Sequence, residues 1–463
     1  MTERIEKFFK LKDNNTTVKR EFFSGITAFI TMAYMILVIP NILKFSGMNA
    51  QGLIGDSALA LNTINDPIVG ASFTAICIAS GIGCLIMGLY ANLPFALAPG
   101  MGLVAFFTFS VCLNLGYTWN QALSAVFISG IIFILITLTS IREKIVDSLP
   151  QNLKIAISSG IGLFITLIGL KSGGVVVSTP ATLVKFGDFR NPGVFLTIIG
   201  IMIISILMSK GMKGSILIGI ILTTIIGIPM GITNIENISF IKAPPSIQPT
   251  LLAFDFKGLI GGENMMQSVF NLIMVVLTFS LVDLFDTIGT LVGTAEKAEM
   301  IDENGKVRNM KKALLSDAVG TTIGAALGTP TLATVVESTA GIAEGGRTGL
   351  MTTFVGFFFF LSMFFSGVVA IVPAQATAPA LIIVGVLMMS TIGKVDFTDL
   401  TEGIPAFFTI TMMPFSYSIA NGVASGVISY VIIKLFTGKR KDIHPIVSIL
   451  SILFVIRFIV LPD

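Results

Sequence analysis

The chain has 463 residues, 54% of them hydrophobic and 12% charged, with a formal net charge of +3 and a mean hydropathy of +0.92. A soluble protein carries about 25% charged residues, so the composition excludes a soluble enzyme and a nucleic-acid-binding domain and predicts an all-α polytopic membrane protein. There is one histidine, no His/Cys/Asp cluster at metal-ligand spacing and no Gly-Lys-Ser/Thr phosphate loop, so neither enzyme chemistry, a bound metal nor ATP as energy source is read here.

The first 21 residues are polar and basic and read as a cytoplasmic N-terminus without a cleaved leader. A crossing helix needs about 20 apolar residues. Such segments fall at 22–43, 68–90, 95–112, 120–140, 153–171, 193–209, 213–231, 268–294, 310–327, 331–345, 350–373, 375–392, 403–416 and 417–437, several of them short. Cys77, Cys84 and Cys112 all lie in apolar stretches and read as packing residues. Fourteen is even. The basic N-terminus, the cluster Lys297, Lys306, Arg308, Lys311 and Lys312, and the loop Lys439–Lys441 therefore all fall on the cytoplasmic side. His444 reads as a surface residue. The stretch 443–461 is apolar but carries Pro445 and Arg457, and it reads as either an interfacial helix or an extra span.

The third segment, Asn92-Leu-Pro-Phe-Ala-Leu-Ala-Pro-Gly-Met-Gly-Leu-Val-Ala-Phe106, and the tenth, Gly328-Thr-Pro-Thr-Leu-Ala-Thr-Val-Val-Glu-Ser338, are short and broken by Gly and Pro. Each is third in a set of seven. Interrupted segments at matching positions in two halves point to the central site of a transporter, and an odd repeat gives the halves opposite topology. Pro94, Pro99, Gly100 and Gly102 oppose regular helix in the third segment. Gly328, Pro330 and the β-branched Thr331, Thr334, Val335 and Val336 favour an extended piece in the tenth. Each extended piece should cross near the midplane and lead into a half-helix.

Two carboxylates stand in this apolar setting. Glu337 starts the second half-helix. Asp286 lies in Asp283-Leu-Phe-Asp-Thr-Ile-Gly289, with Asp283 one turn away on the same face. A charge at the bilayer centre costs at least about 2.5–3.5 kcal/mol, which makes such residues functional candidates. Asp283 reads either as a structural acid or as a partner of Asp286 in proton handling. Asp317 reads as structural, and Glu344 and Arg347 as a local ion pair in a tight turn.

Leu97-Ala-Pro-Gly-Met-Gly-Leu103, Asp283-Leu-Phe-Asp-Thr-Ile-Gly-Thr290, Glu337-Ser-Thr-Ala-Gly-Ile-Ala-Glu-Gly-Gly-Arg-Thr-Gly349 and Ala376-Thr-Ala-Pro-Ala-Leu-Ile-Ile-Val-Gly385 resemble the AzgA-like purine permeases, a branch of the nucleobase–cation symporter-2 (nucleobase–ascorbate transporter) group. The resemblance runs from Gly25 to about Pro445. It implies fourteen spans in two inverted repeats of seven. A core domain would comprise 22–140 and 268–373, and a gate domain 141–231 and 374–437. An extracellular loop would lie at 232–267, and a basic loop with a hydrophobic C-terminal segment at 438–463. It further implies proton-coupled uptake of hypoxanthine, guanine or adenine across the plasma membrane by an elevator-like movement. No bound cofactor is implied, and H⁺ is favoured over Na⁺.

The family's acids fall on Asp286 and Glu337, and its span-three glycine on Gly102. The implied substrate-binding set is Gly100, Met101, Gly102, Val104, Asp286, Thr334, Val335, Val336 and Glu337. Asp286, Glu337 and Asp283 are the proton-coupling candidates. The implied partners are a purine nucleobase and membrane lipid, with a homodimer open and no nucleic acid. The chain departs from the family pattern at Val104 and Ile39, where asparagine is usual, and at Val335, where tyrosine is common. The alternative reading is an anion transporter or channel of the same fold type.

Overall fold

Capping chemistry starts many of the helices. Asp66 accepts from the Ile68 and Val69 amides ahead of Pro67. Thr118 and Gln121 form a reciprocal capping box, and Asn191 accepts from Gly193 ahead of Pro192. Each arrangement satisfies amides that a helix start leaves unpaired. The computed structural model describes residues 2–59, 61, 65–139, 148–179, 182–235, 239–261, 265–298, 300 and 307–460. The side chains of 2, 265–267, 281, 285, 286, 288, 289, 292, 293, 296, 297 and 460 lie outside that description. Lys306 and the Asp286 carboxyl, both singled out from the sequence, are among the residues or side chains not described.

In chain order the first helices are α1 (Thr2–Phe9), α2 (Val18–Met32), α3 (Tyr34–Leu43) and α4 (Pro67–Ile86). Strand β1 (Leu97–Pro99) leads into α5 (Met101–Ala105), which continues as a widened π-type helix to Asn114. Then come α6 (Trp119–Leu138), α7 (Gln151–Ser172), the hairpin β2 (Val176–Thr179) and β3 (Leu183–Phe186), α8 (Pro192–Ser209) and α9 (Ser215–Gly227). The second half holds α10 (Phe256–Ile260), α11 (Met265–Lys297), α12 (Met310–Leu327), strand β4 (Leu332–Thr334), α13 (Ser338–Ala343), α14 (Gly349–Ser362), α15 (Ser366–Val369), α16 (Ala374–Met389), α17 (Leu400–Phe415), α18 (Ile419–Phe436) and α19 (Pro445–Val460). Helix or strand occupies all fourteen expected spans. Among the described residues eight helices are long and apolar enough to cross by themselves. The remaining spans include shorter helices and the two interrupted segments.

The helices pack in two sets. Helix α4 lies against α12 and α14, α12 against α6, and α2 against α13 and α14. Helix α7 lies against α16 and α17, α17 against α18, and α8 against α9 and α16.

Several details depart from the sequence reading. The first span is two helices meeting at Ala33, where the Thr31 hydroxyl bonds back to the Thr27 carbonyl, a contact that bends helices. The N-terminus carries helix α1, tied down by Phe9 and Leu11 against Leu350. The hairpin β2–β3 was not expected. Val175-Val-Val-Ser-Thr179 and Leu183-Val-Lys-Phe186 are β-prone strings that pair in register, Val176 with Phe186. Pro445 does not interrupt the C-terminal stretch but opens α19, where the His444 ring accepts from the Ile446 amide. Glu344 does not pair with Arg347. It forms an ion pair with Lys213, while the Arg347 guanidinium donates to the Ile342 and Gly346 carbonyls at 2.7 and 2.9 Å. The turn instead closes on Glu21, whose carboxylate accepts from the Arg347 and Met351 amides at 2.8 and 3.0 Å.

Candidate substrate site

The two interrupted segments meet. Strands β1 and β4 pair antiparallel, Leu97 opposite Thr334, Ala98 opposite Ala333 and Pro99 opposite Leu332, all buried. The ladder extends beyond the strands, with the Gly100 amide on the Thr331 carbonyl (3.3 Å) and the Val335 amide on the Ala96 carbonyl (3.1 Å). The Ala96 amide donates to the Ser338 hydroxyl at 2.9 Å. Each strand is braced by the helix before it. Cys84 of α4 contacts the backbone of Leu97 through sulfur at 3.3 Å, and Thr321 of α12 donates to the Leu332 carbonyl at 2.9 Å. These bonds satisfy backbone groups that could not otherwise be buried at membrane depth. Because the pair is antiparallel, α5 and α13 leave from opposite ends of it.

Gly328 makes the second strand reachable. Its φ of +104° ends α12, with its amide on the Gly324 and Ala325 carbonyls, and turns the chain toward Pro330. Gly102 has a different role from the helix breaking expected of it. It lies inside α5, against α7, where an added Cβ would stand 2.9 Å from Ile161.

Glu337 sits at the start of α13, half-buried, and the Tyr34 phenol donates to its Oε1 at 2.8 Å. Tyr34 is fully buried at the first position of α3, directly after the break in the first span. Beside Glu337, Val336 is 55% exposed although its other neighbour, Val335, is buried. The expected residues thus divide. Val336 and Glu337 border open space, whereas Gly100, Met101, Gly102, Val104, Thr334 and Val335 form the wall behind them. The hydroxyls of Thr331 and Thr334 are buried in that wall without a hydrogen-bond partner among the described residues.

Helix α11, which carries Asp286, packs against β4, α5 and α13, and Phe279 meets Phe106 edge-to-face with centroids 4.7 Å apart. Asp283 is fully buried. Its Oδ1 accepts from the Thr287 hydroxyl at 3.2 Å, and that hydroxyl also lies 3.3 and 3.4 Å from the Asp317 oxygens. The structure therefore joins Asp283 to Asp317 across two helices. The sequence offered Asp317 only as a structural acid.

Tyr34 is the residue that sequence reasoning missed. Its signal was present: one of five tyrosines in the chain, placed in the middle of an apolar span. It supplies a phenol to Glu337 from the first span, although the family's tyrosine position in the tenth segment is occupied by Val335.

Comparison with known proteins decides the class. The chain matches the permease family (Xan_ur_permease) over residues 19–425. The chain belongs to this family. It is a multi-pass transport protein and not an enzyme, in agreement with the resemblance carried by its motifs. It is 46% identical to a putative permease of Methanocaldococcus jannaschii, over 99% of this chain and 98% of that one. It is 42% identical to the adenine permease AdeQ of Escherichia coli, over 98% and 96%, and 40% identical to the guanine/hypoxanthine permease PbuG of Bacillus subtilis, over 99% and 100%. The fold is that of the transmembrane domain of the cyanobacterium bicarbonate transporter BicA, with a TM-score of 0.60 at 16% identity, covering 88% of this permease and 97% of that chain. This is the inverted-repeat arrangement expected from the sequence.

Proposed function

We propose that this permease imports purine nucleobases, hypoxanthine, guanine or adenine, across the plasma membrane in symport with protons. One observation carries the reading. A carboxylate is held by a buried phenol beside an open wall, at the point where two broken spans cross. The second oxygen and the remaining lone pairs of Glu337 can accept N–H groups of a purine ring, and relatives named as adenine and guanine/hypoxanthine permeases support that class of solute. A carboxylate in this position repels an anion, which weighs against the anion-transporter alternative despite the shared fold. Asp286 on the adjoining helix is the second acid, and Asp286, Glu337 and Asp283 are the groups through which protonation couples to solute. The N-terminus and basic loops lie in the cytoplasm. Spans one to four and eight to eleven move as a core against a gate of spans five to seven and twelve to fourteen.

The test is uptake of labelled hypoxanthine, guanine, adenine, xanthine and uracil into cells, with and without a protonophore. Saturable purine uptake that the protonophore abolishes, and that Glu337→Gln and Asp286→Asn each impair, is the expected result. Uptake and pH dependence unchanged in both variants would defeat the assignment of these acids.

A further inference from the structure

On the face reached after an odd number of crossings, opposite the N-terminus, a pocket of about 220 Å³ opens between the two packed sets of helices. Its walls are aromatic. Phe109 stands edge-on to Tyr417 with centroids 5.7 Å apart, and Phe45 lies 6.1 Å from Phe109. Its polar end is the ion pair Lys171–Asp56 at 3.2 Å, with the Lys171 ammonium also 5.4 Å from the Tyr417 ring centre.

Two features show that the pocket is built. The loop bearing Asp56 is fixed from below: the Gly55 amide donates to the Phe45 carbonyl at 2.9 Å, Asn49 bonds both ways with Leu53, and the buried Lys44 ammonium donates to the Leu61 carbonyl at 3.3 Å. Tyr417 is fixed as the left-handed residue that closes α17, at a φ of +52°, with its amide on the Pro414 carbonyl (3.4 Å) and the Ser418 amide on the Met413 carbonyl (3.0 Å). Around it, the Ile419 amide donates to the Ser110 hydroxyl (3.1 Å) and the Asn114 side-chain amide donates to the Ser416 carbonyl (3.4 Å).

We propose that this pocket is an outer docking site for a planar heteroaromatic base, distinct from the crossing at Glu337. Ring faces on Phe109 and Tyr417 offer stacking. Asp56 accepts a ring or exocyclic N–H, and Lys171 donates to a carbonyl oxygen or ring nitrogen, so the occupant replaces an exposed ion pair that contributes little by itself. The volume lies below the about 300 Å³ at which pockets for drug-sized ligands begin, which suits a single bicyclic base and not a nucleoside phosphate. A small anion is disfavoured because Asp56 sits on the only cation of the lining residues. The ligand class rests on the purine reading above, but the site does not share its residues.

Leu113 lines the pocket, and Cys77, Cys84 and Cys112 are all buried. A membrane-impermeant thiol reagent applied to Leu113→Cys in the full chain therefore reports on this pocket. Saturating hypoxanthine or adenine should slow modification at least about fivefold by mass action. The slowing should be equal in Leu113→Cys/Glu337→Gln, should be lost in Leu113→Cys/Tyr417→Ala and should be kept with Tyr417→Phe, the control for folding. Protection that vanishes with Glu337→Gln would place its origin at the crossing and overturn the proposal. So would protection that survives Tyr417→Ala, or none in Leu113→Cys alone. If Glu337→Gln leaves uptake intact, the central reading fails while the Tyr417→Ala comparison still decides the outer site.

Discussion

The two crossing segments share a backbone plan and differ in chemistry. Each is a three-residue buried strand followed by a short helix, and each strand is braced by a side chain from the preceding helix, Cys84 in one half and Thr321 in the other. The first crossing, from Ala96 to Val104, carries only apolar side chains and glycine. The second carries Thr331, Thr334 and Glu337 and draws Tyr34 to its carboxylate. Symmetry thus supplies a place where backbone can be buried without helix. The polar side chains are concentrated in one copy, and the other is an apolar backing.

The sharpest way to break this asymmetry is at Glu337. Glu337→Gln removes the charge while keeping the shape, so purine uptake should fall about 100-fold or more, as when a charge-assisted hydrogen bond to solute is lost. Thermal stability should change little, since the group is half-buried and borders open space. Tyr34→Phe should come next. Removing a hydrogen bond to a charged group is worth about 1.5–3 kcal/mol, so kcat/KM for uptake should drop at least about tenfold with normal expression. A larger loss at any residue between Ala96 and Val104 would show that the first crossing is more than a backing.

Val104 and Val336 sharpen the contrast between wall and opening. Val104 is fully buried, so Val104→Asn, although it restores the residue usual in the family, should destabilise the protein by about 2 kcal/mol through an unsatisfied amide. Val336→Asn, at an exposed position, should leave the melting temperature alone and alter purine affinity. The reverse pattern would mean that Val104 faces the solute. Gly102→Ala should cost about 1 kcal/mol, the low end for overpacking, because its methyl would press on Ile161. Ile161→Val in the same chain should recover part of that loss.

The crossing itself was legible because Gly, Pro and β-branched residues act locally. Gly328, Pro330 and Thr331–Thr334 announce an extended piece wherever they stand, and the matching break at Pro94–Gly102 announces its mate. Pairing partners across 235 or so residues were legible only through the repeat. Tyr34 was not, because nothing near it in sequence says that the first span breaks at Ala33 and aims a phenol at the tenth. Asp283 was placed on the face of Asp286 by helical spacing, which speaks only of one helix. Its bond to Thr287 and the approach of Asp317 depend on how α11 meets α12, and no periodicity encodes that. Lys213 and Glu344 join for the same reason. Their pairing is tertiary, whereas the rejected pair Glu344–Arg347 was merely close in sequence.

The smallest effect should come far from both crossings, at Asp399, and it serves as the control for the rest. Its carboxylate accepts from the Thr401 amide (2.9 Å) at the start of α17 and pairs with Lys439 (2.7 Å) beyond α18. The hydrogen bond to Lys439, first, and those to Thr401 hold this exposed carboxyl well below the usual carboxylate range. A depressed carboxyl contributes stability above its unfolded value and loses it as pH falls through the folded one. Asp399→Asn should therefore lower the melting temperature slightly at pH 7, and the difference from the parent should shrink as the pH is taken below the carboxylate range. Purine uptake at pH 7 should be unchanged. If Asp399→Asn impaired uptake as Glu337→Gln does, the chemistry would not be concentrated at the second crossing, and the contrast between the two halves would have to be given up.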